Sequence, residues 1–176
     1  MKLPLRYQFL YNEPAPRHLL KALELYGVQE IPGNVHNPVI LGWAKETKLN
    51  HVYKVDEMPW CGLYMAVVMQ RAERPFVKDP LWARNWSQWG IRMSQAMLGD
   101  VLVFRRGTVS GHVAIYVGED LTHYHVLGGN QGNGVSIMRM AKSRLISVQR
   151  PPYMNQPANV RVIRMAGVGV VSGDES

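Results

Sequence analysis

The chain contains one cysteine, Cys61, set in Met58-Pro59-Trp60-Cys61-Gly62-Leu63-Tyr64-Met65. A lone cysteine excludes an intramolecular disulfide and a cysteine-rich zinc site, so the fold has to rest on a hydrophobic core. The same stretch opens the best amphipathic pattern in the chain. Leu63, Tyr64, Val67 and Val68 form one stripe, which predicts a helix from about Trp60 to Arg71. A thiol in the first turn of a helix meets the partial positive end of the backbone dipole, which favours the thiolate. Most lone cysteines are small buried hydrophobes. Two downstream features tip the reading toward a nucleophile. One is a strand-like run beginning Gly111-His112-Val113-Ala114; the other is the turn Leu127-Gly128-Gly129-Asn130-Gln131-Gly132. Cysteine, then histidine, then asparagine is the order of nucleophile, base and orienting residue in a cysteine triad.

The length of 176 residues suits one domain, with enough chain to bury a core. Apolar residues make up 47%, which argues against disorder. No run of ~18 apolar residues occurs, so stable membrane insertion is not expected. The first 16 residues hold neither a continuous apolar stretch nor a small-residue cleavage site. The expectation is a protein made in the cytoplasm without a signal peptide. The net charge of +7 suits a polyanionic partner. Basic residues are scattered and no nucleic-acid motif appears, so nucleic acid is not expected as a partner. Solubility alone would also explain such a charge.

Residues 1–16 read as an extended arm, because Pro4, Pro14 and Pro16 break helices. A helix is predicted from Arg17, with Gly27 at its end, and a second over Val39 to Lys45. The run from Asp79 to Gly90 holds three of the five tryptophans and reads either as core or as one wall of a substrate groove. Strands dominate after Gly99-Asp100: Val101 to Phe104, His112 to Val117, His123 to Leu127 and Val135 to Met140. Helices first and then an antiparallel meander give an α+β fold. One domain is expected over 1–152. A C-terminal extension over 153–176 is expected to add a strand, Val160 to Met165, and a flexible tail.

This order resembles the NlpC-type and CHAP-type cysteine amidohydrolases and peptidases that cut bacterial peptidoglycan, and more narrowly their small phage- and prophage-encoded branch. The matching stretches are LLKALELYGVQEIPG, HNPVILGWAK, DEMPWCGLYMAVVM, MLGDVLVFRRG, GHVAIYVGED, VLGGNQGNGVSI and QRPP, which cover most of residues 18 to 152. The resemblance implies a papain-like fold, with the nucleophile helix packed on an antiparallel sheet or small barrel. It implies Cys61 as nucleophile and His112 as base. Asn130 falls at the third position, where NlpC-type enzymes often use a second His and CHAP-type enzymes Glu or Asn. The implied activity is cleavage of an amide in the stem peptide, by an endopeptidase or an N-acetylmuramoyl-L-alanine amidase. The implied setting is lysis or wall penetration, with action in the periplasm or at the wall after release or delivery. A tail-associated phage component and a secreted antibacterial toxin with an immunity partner are the alternative settings. A monomer is expected.

Several residues keep two readings. His123 and His125 share a strand face, and either is an alternative third member of the triad. His18 and His51 read as surface residues, and His36 as part of a turn. Asn130 has turn chemistry as its plain explanation. Gln131 is a candidate side-chain donor to an oxyanion, beside the backbone N–H of Cys61. Trp60, Tyr53, Trp86 and Gln131 are the candidate substrate-binding residues. Asp56 and Glu57 either line the cleft or tie down the loop before Cys61. No alternating acidic loop of the kind calcium needs is present, so neither metal nor cofactor is expected.

Overall fold

The computed structural model describes residues 2–33 and 35–166. Three α-helices come first: α1 (Arg17–Leu23), α2 (Pro38–Glu46) and α3 (Cys61–Arg71). Six strands follow: β1 (Ile91–Met93), β2 (Val101–Arg105), β3 (Gly111–Glu119), β4 (His123–Gly128), β5 (Ser136–Ala141) and β6 (Leu145–Arg150). They form one sheet in the order β1-β6-β2-β3-β4-β5, and every pairing is antiparallel. The molecule is therefore α+β, with the helices gathered in the first half of the chain.

Helix α3 is the centre of the fold. Every residue from Cys61 to Met69 is buried, so this helix is enclosed on all sides rather than along one stripe. It packs against α1 and α2 on one side and against β3 and β4 on the other. Gln70 donates to the Glu46 carbonyl, and Arg71 forks onto the Glu46 carboxylate at 2.9 and 2.7 Å, which holds α3 to α2. Strand alternation divides the apolar residues of β3. Val113, Ile115 and Val117 join the core around α3, while Ala114 and Tyr116 join a second core with Leu102, Phe104 and Val126.

Four expectations are corrected. Residues 1–16 are not an extended arm, because Leu5–Asn12 forms a 3-10 helix whose Tyr7 and Leu10 are buried. The prolines lie outside it: Pro4 is the N-cap, where a missing N–H costs nothing, and Pro14 and Pro16 follow its end. Tyr7 Oη bonds His125 Nδ1 at 2.8 Å, and His125 Nε2 meets Asp120 at 2.9 Å. That buried chain pins the N-terminal segment to β4 and commits both nitrogens of His125, so His125 is not a third triad member. His18 is fully buried rather than at the surface, with Nε2 donating to the Gly99 carbonyl at 2.6 Å. The segment Val160–Met165 does not form a strand of the sheet. It meets β3 through one parallel bridge, Glu119 to Arg164. The flexible tail expected at the end of the chain falls outside the described residues beyond 166. Strands β1 and β6 went unread in the sequence. Strand β6 lies next to β2, and its Arg150 forks onto buried Asp100 at 2.8 and 2.7 Å.

Candidate active site

Helix α3 begins at Cys61, with Trp60 as N-cap and no side chain capping the first turn. The first amides of a helix have no intrahelical partner. Here the backbone N–H groups of Cys61 and Gly62 lie beside the Cys61 thiol, together with that of Val113 from β3. The ladder between β3 and β4 ends at Ile115 opposite Leu127, so Val113 lies beyond the last pairing on that side. This brings the sulfur against the residue that follows His112. Gly62 has a local reason in the same turn: a Cβ there would fall 2.1 Å from the Pro80 carbonyl oxygen. Only a glycine lets the first turn of α3 touch the backbone of the segment leading to Trp82.

His112 is buried on β3. Its Nε2 bonds Gln131 Oε1 at 2.9 Å. The same Gln131 amide donates through Nε2 to the carbonyls of Val126 at 3.2 Å and Ser136 at 2.6 Å. With both amide hydrogens committed to carbonyls, the Gln131 oxygen is an acceptor, and the hydrogen on the imidazole sits on Nε2. Nδ1 of His112 is then an unprotonated lone pair. It is buried, and no hydrogen-bond partner is found for it among the described residues. Such an atom is costly to keep unless something uses it.

Burial governs the electrostatics. It pushes His112 down to about 3, and the Arg106 guanidinium acts in the same direction. Burial also pushes the Cys61 thiol up, against smaller opposing effects from the Val113 N–H, Arg106 and the helix amides. The sequence favoured a thiolate from the helix dipole alone. The thiol is only 3% exposed, and loss of solvation outweighs the dipole. The resting pair is therefore a neutral thiol and a neutral imidazole.

The third position differs from the sequence reading. Asn130 does not bond His112; it adopts φ of +55° and lines the cleft, as its plain turn reading requires. Its neighbour Gln131 turns inward and is nearly fully buried. Gln131 is accordingly not free to serve an oxyanion, since both its N–H groups are engaged. The Gly-Gly pair before it also has a packing cause. A Cβ on Gly129 would lie 2.5 Å from Tyr64 Cβ and 2.7 Å from the Trp60 ring, so the turn fits flush on the start of α3 only as glycine.

The other proposed substrate contacts are mostly internal. Trp60 is buried, with its indole N–H on the Glu30 carboxylate. Tyr53 is buried, with its hydroxyl directed to the Met58 carbonyl at 3.3 Å. Trp86 is buried, and its indole N–H donates to the Pro80 carbonyl at 2.9 Å. These three shape the walls from behind and leave no face for a ligand. Asp56 ties the loop before Cys61 to α2, accepting from the Asn37 N–H at 2.7 Å and pairing with His36 at 2.8 Å. Glu57 does line the cleft.

The open surface at Cys61 is a groove with two arms. One, of about 950 Å³, is the more polar of the two, with a mixed lining that includes Arg106, Asn130 and Asn133. The other, of about 590 Å³, is chiefly apolar and carries Leu49, Val52, Met58, Leu81 and the half-exposed Trp82. Cys61, Pro59, Ser110 and Gly111 belong to both. Trp82 and Arg106 were not singled out in the sequence. The tryptophan cluster pointed to that wall without saying which ring faces it. No metal-ligating cluster of histidine, cysteine and carboxylates is found among the described residues. No family model matches the chain, and a search of curated proteins gives no match.

Proposed function

We propose that this chain is a cysteine amidohydrolase of papain-like, NlpC/CHAP type that cleaves an amide in the stem-peptide region of bacterial peptidoglycan. The observation that carries the reading is the fixed imidazole of His112: Nε2–H held by Gln131, Nδ1 bare, one residue from the N–H that touches the Cys61 sulfur. A buried base with a free lone pair, one residue along β3 from the N–H at a buried thiol on a helix N-terminus, fits nucleophilic acyl transfer. The polar arm with Arg106 suits the carboxylates of a stem peptide, and the net charge of +7 suits an anionic wall.

In this mechanism the thiol proton passes to His112 Nδ1 as Sγ attacks the amide carbonyl carbon. No hydrogen bond joins Sγ to Nδ1 in the resting site, so this transfer requires the two groups to close up when substrate binds. The backbone N–H of Cys61 receives the developing oxyanion. His112 then gives its proton to the departing amine, and the C–N bond breaks to leave a thioester on Cys61. Water attacks the thioester, His112 takes its proton, and the carboxylate product leaves with the thiol restored. Gln131 holds the ring through both steps and, being neutral, keeps the resting pair uncharged.

The test is hydrolysis of purified sacculi, with the soluble products separated and their new termini identified by mass spectrometry. Wild-type protein should release fragments with a new amine, and Cys61→Ser and His112→Ala should release none. Equal release by Cys61→Ser, or none by the wild type, would overturn the proposal.

A further inference from the structure

The two arms of the groove differ in chemistry, and a substrate lying across Cys61 has to match both. The apolar arm has a particular make-up. Its wall is aliphatic at Leu49, Val52 and Met58, and the Trp82 ring, 50% exposed, offers a broad face. Besides Ser110, which both arms share, two polar residues line this arm. Asp79 is one. The other is His51, whose Nδ1 donates to the Lys48 carbonyl at 2.9 Å, leaving Nε2 as an acceptor. Asp79 is held at φ of +50°, with its carbonyl taken by Asn85 at 3.1 Å.

A peptide backbone would fit this arm poorly. It would bring an N–H and a C=O per residue against a wall with few partners, and each unmade bond costs desolvation. A pyranose ring divides its polarity differently. The faces are C–H and apolar, while the hydroxyls project from the rim. One face can lie on Trp82 while the rim hydroxyls donate to Asp79 and His51. The aliphatic wall then receives small apolar substituents such as an acetamido methyl. A volume of about 590 Å³ has room for more than one ring.

We infer that the apolar arm is a sugar-binding subsite built on Trp82, so that the amide presented to Cys61 joins a sugar-borne acyl group to the amino end of a peptide. The inference rests on the assignment of Cys61 as nucleophile and selects among the amides that assignment leaves open. The peptide then occupies the polar arm, where Arg106, Asn130 and Asn133 meet its carboxylate and backbone groups.

Binding to the Cys61→Ser protein tests the subsite without turnover. Three probes share one dipeptide, L-alanyl-D-isoglutamine, and carry an N-acetylmuramoyl, an N-acetyl or an N-octanoyl group. Calorimetric titration should give the muramoyl probe at least about tenfold tighter binding than the acetyl probe. In Cys61→Ser/Trp82→Ala that margin should vanish, and Trp82→Phe should restore part of it. Circular dichroism of the double variant should match the parent, since Trp82 is half exposed. A missing margin, a margin that survives Trp82→Ala, or a preference for the octanoyl probe would each overturn the inference. Hydrolysis of sacculi is read separately. Wild-type cleavage confined to bonds within the peptide would overturn the sugar subsite and leave the nucleophile standing. Full activity of Cys61→Ser would overturn both.

Discussion

Gln131 Oε1 sits 2.9 Å from His112 Nε2, and the other end of the same amide is held by the carbonyls of Val126 and Ser136. Among the described residues Gln131 is the one hydrogen-bond partner of this imidazole, so removing it removes what fixes the tautomer. Gln131→Ala should lower kcat on the order of 10² to 10⁴, the usual worth of a well-placed general base. Asn130→Gly keeps the left-handed turn geometry and leaves this bond alone. It should cost at least about tenfold less. Steady-state rates on one soluble muropeptide check the ordering; equal losses would mean that Asn130 also acts on His112.

The same amide makes a second prediction. In Gln131→Glu, a carboxylate oxygen would face the Val126 and Ser136 carbonyls in place of an N–H donor. Acceptor against acceptor in a buried site costs about 1–3 kcal/mol. The variant should have a lower urea midpoint than the wild type at neutral pH. A midpoint at or above the wild-type value would mean that the amide lies the other way round.

How much of this was legible in the sequence can be argued residue by residue. The order of helix, histidine strand and glycine turn was readable because each has a local signature: helical spacing after Cys61, alternation from His112 to Val117, and glycines at 128, 129 and 132. The choice between Asn130 and Gln131 was not. Adjacent side chains in a turn diverge according to φ, and nothing local required Asn130 to take +55° and swing outward. The tryptophans were ambiguous for a similar reason. Trp82, Trp86 and Trp89 lie around a 3-10 helix, Ala83–Gln88, whose facing is set by Pro80 and α3 rather than by a periodic pattern. Strand β6 was hidden because its burial comes from neighbours far away in sequence. The divided groove was not legible at all, since its arms come from segments near 50, 80, 106 and 130.

Gly129 couples packing to the site. Gly129→Ala would drive a methyl into Tyr64 and the Trp60 ring at 2.5 and 2.7 Å, both of which are fully buried. Overpacking of this kind typically costs about 1–3 kcal/mol. The turn should lift from α3 and carry Gln131 with it, so activity should fall further than the loss of folded protein explains. Comparing the folded fraction with the specific activity separates the two effects. A fully active variant would show that the turn can move without disturbing His112.

Three buried histidines, His18, His112 and His125, are held below their ordinary value by burial and shape the acid side of the stability profile. Burial holds His18 down to about 4 and His112 down to about 3, below the ordinary value of about 6.5. Well above pH 6.5 none of the three carries a proton in the folded or the unfolded chain, so they add no pH dependence there. Between pH 6.5 and about 4 the unfolded chain binds protons that the folded one refuses. Stability therefore rises with pH through that window and is lost on acidification, by up to about 1.4 kcal/mol per histidine per pH unit. Urea midpoints measured from pH 7.5 to 4.5 should fall steadily, and His112→Asn should flatten the slope by about a third or more, since His18 and His125 still contribute. The asparagine can still place an amide N–H near Gln131 Oε1 but takes up no proton on unfolding. An unchanged slope in His112→Asn would mean that His112 is protonated in the folded protein across this range, and the neutral resting pair would be wrong.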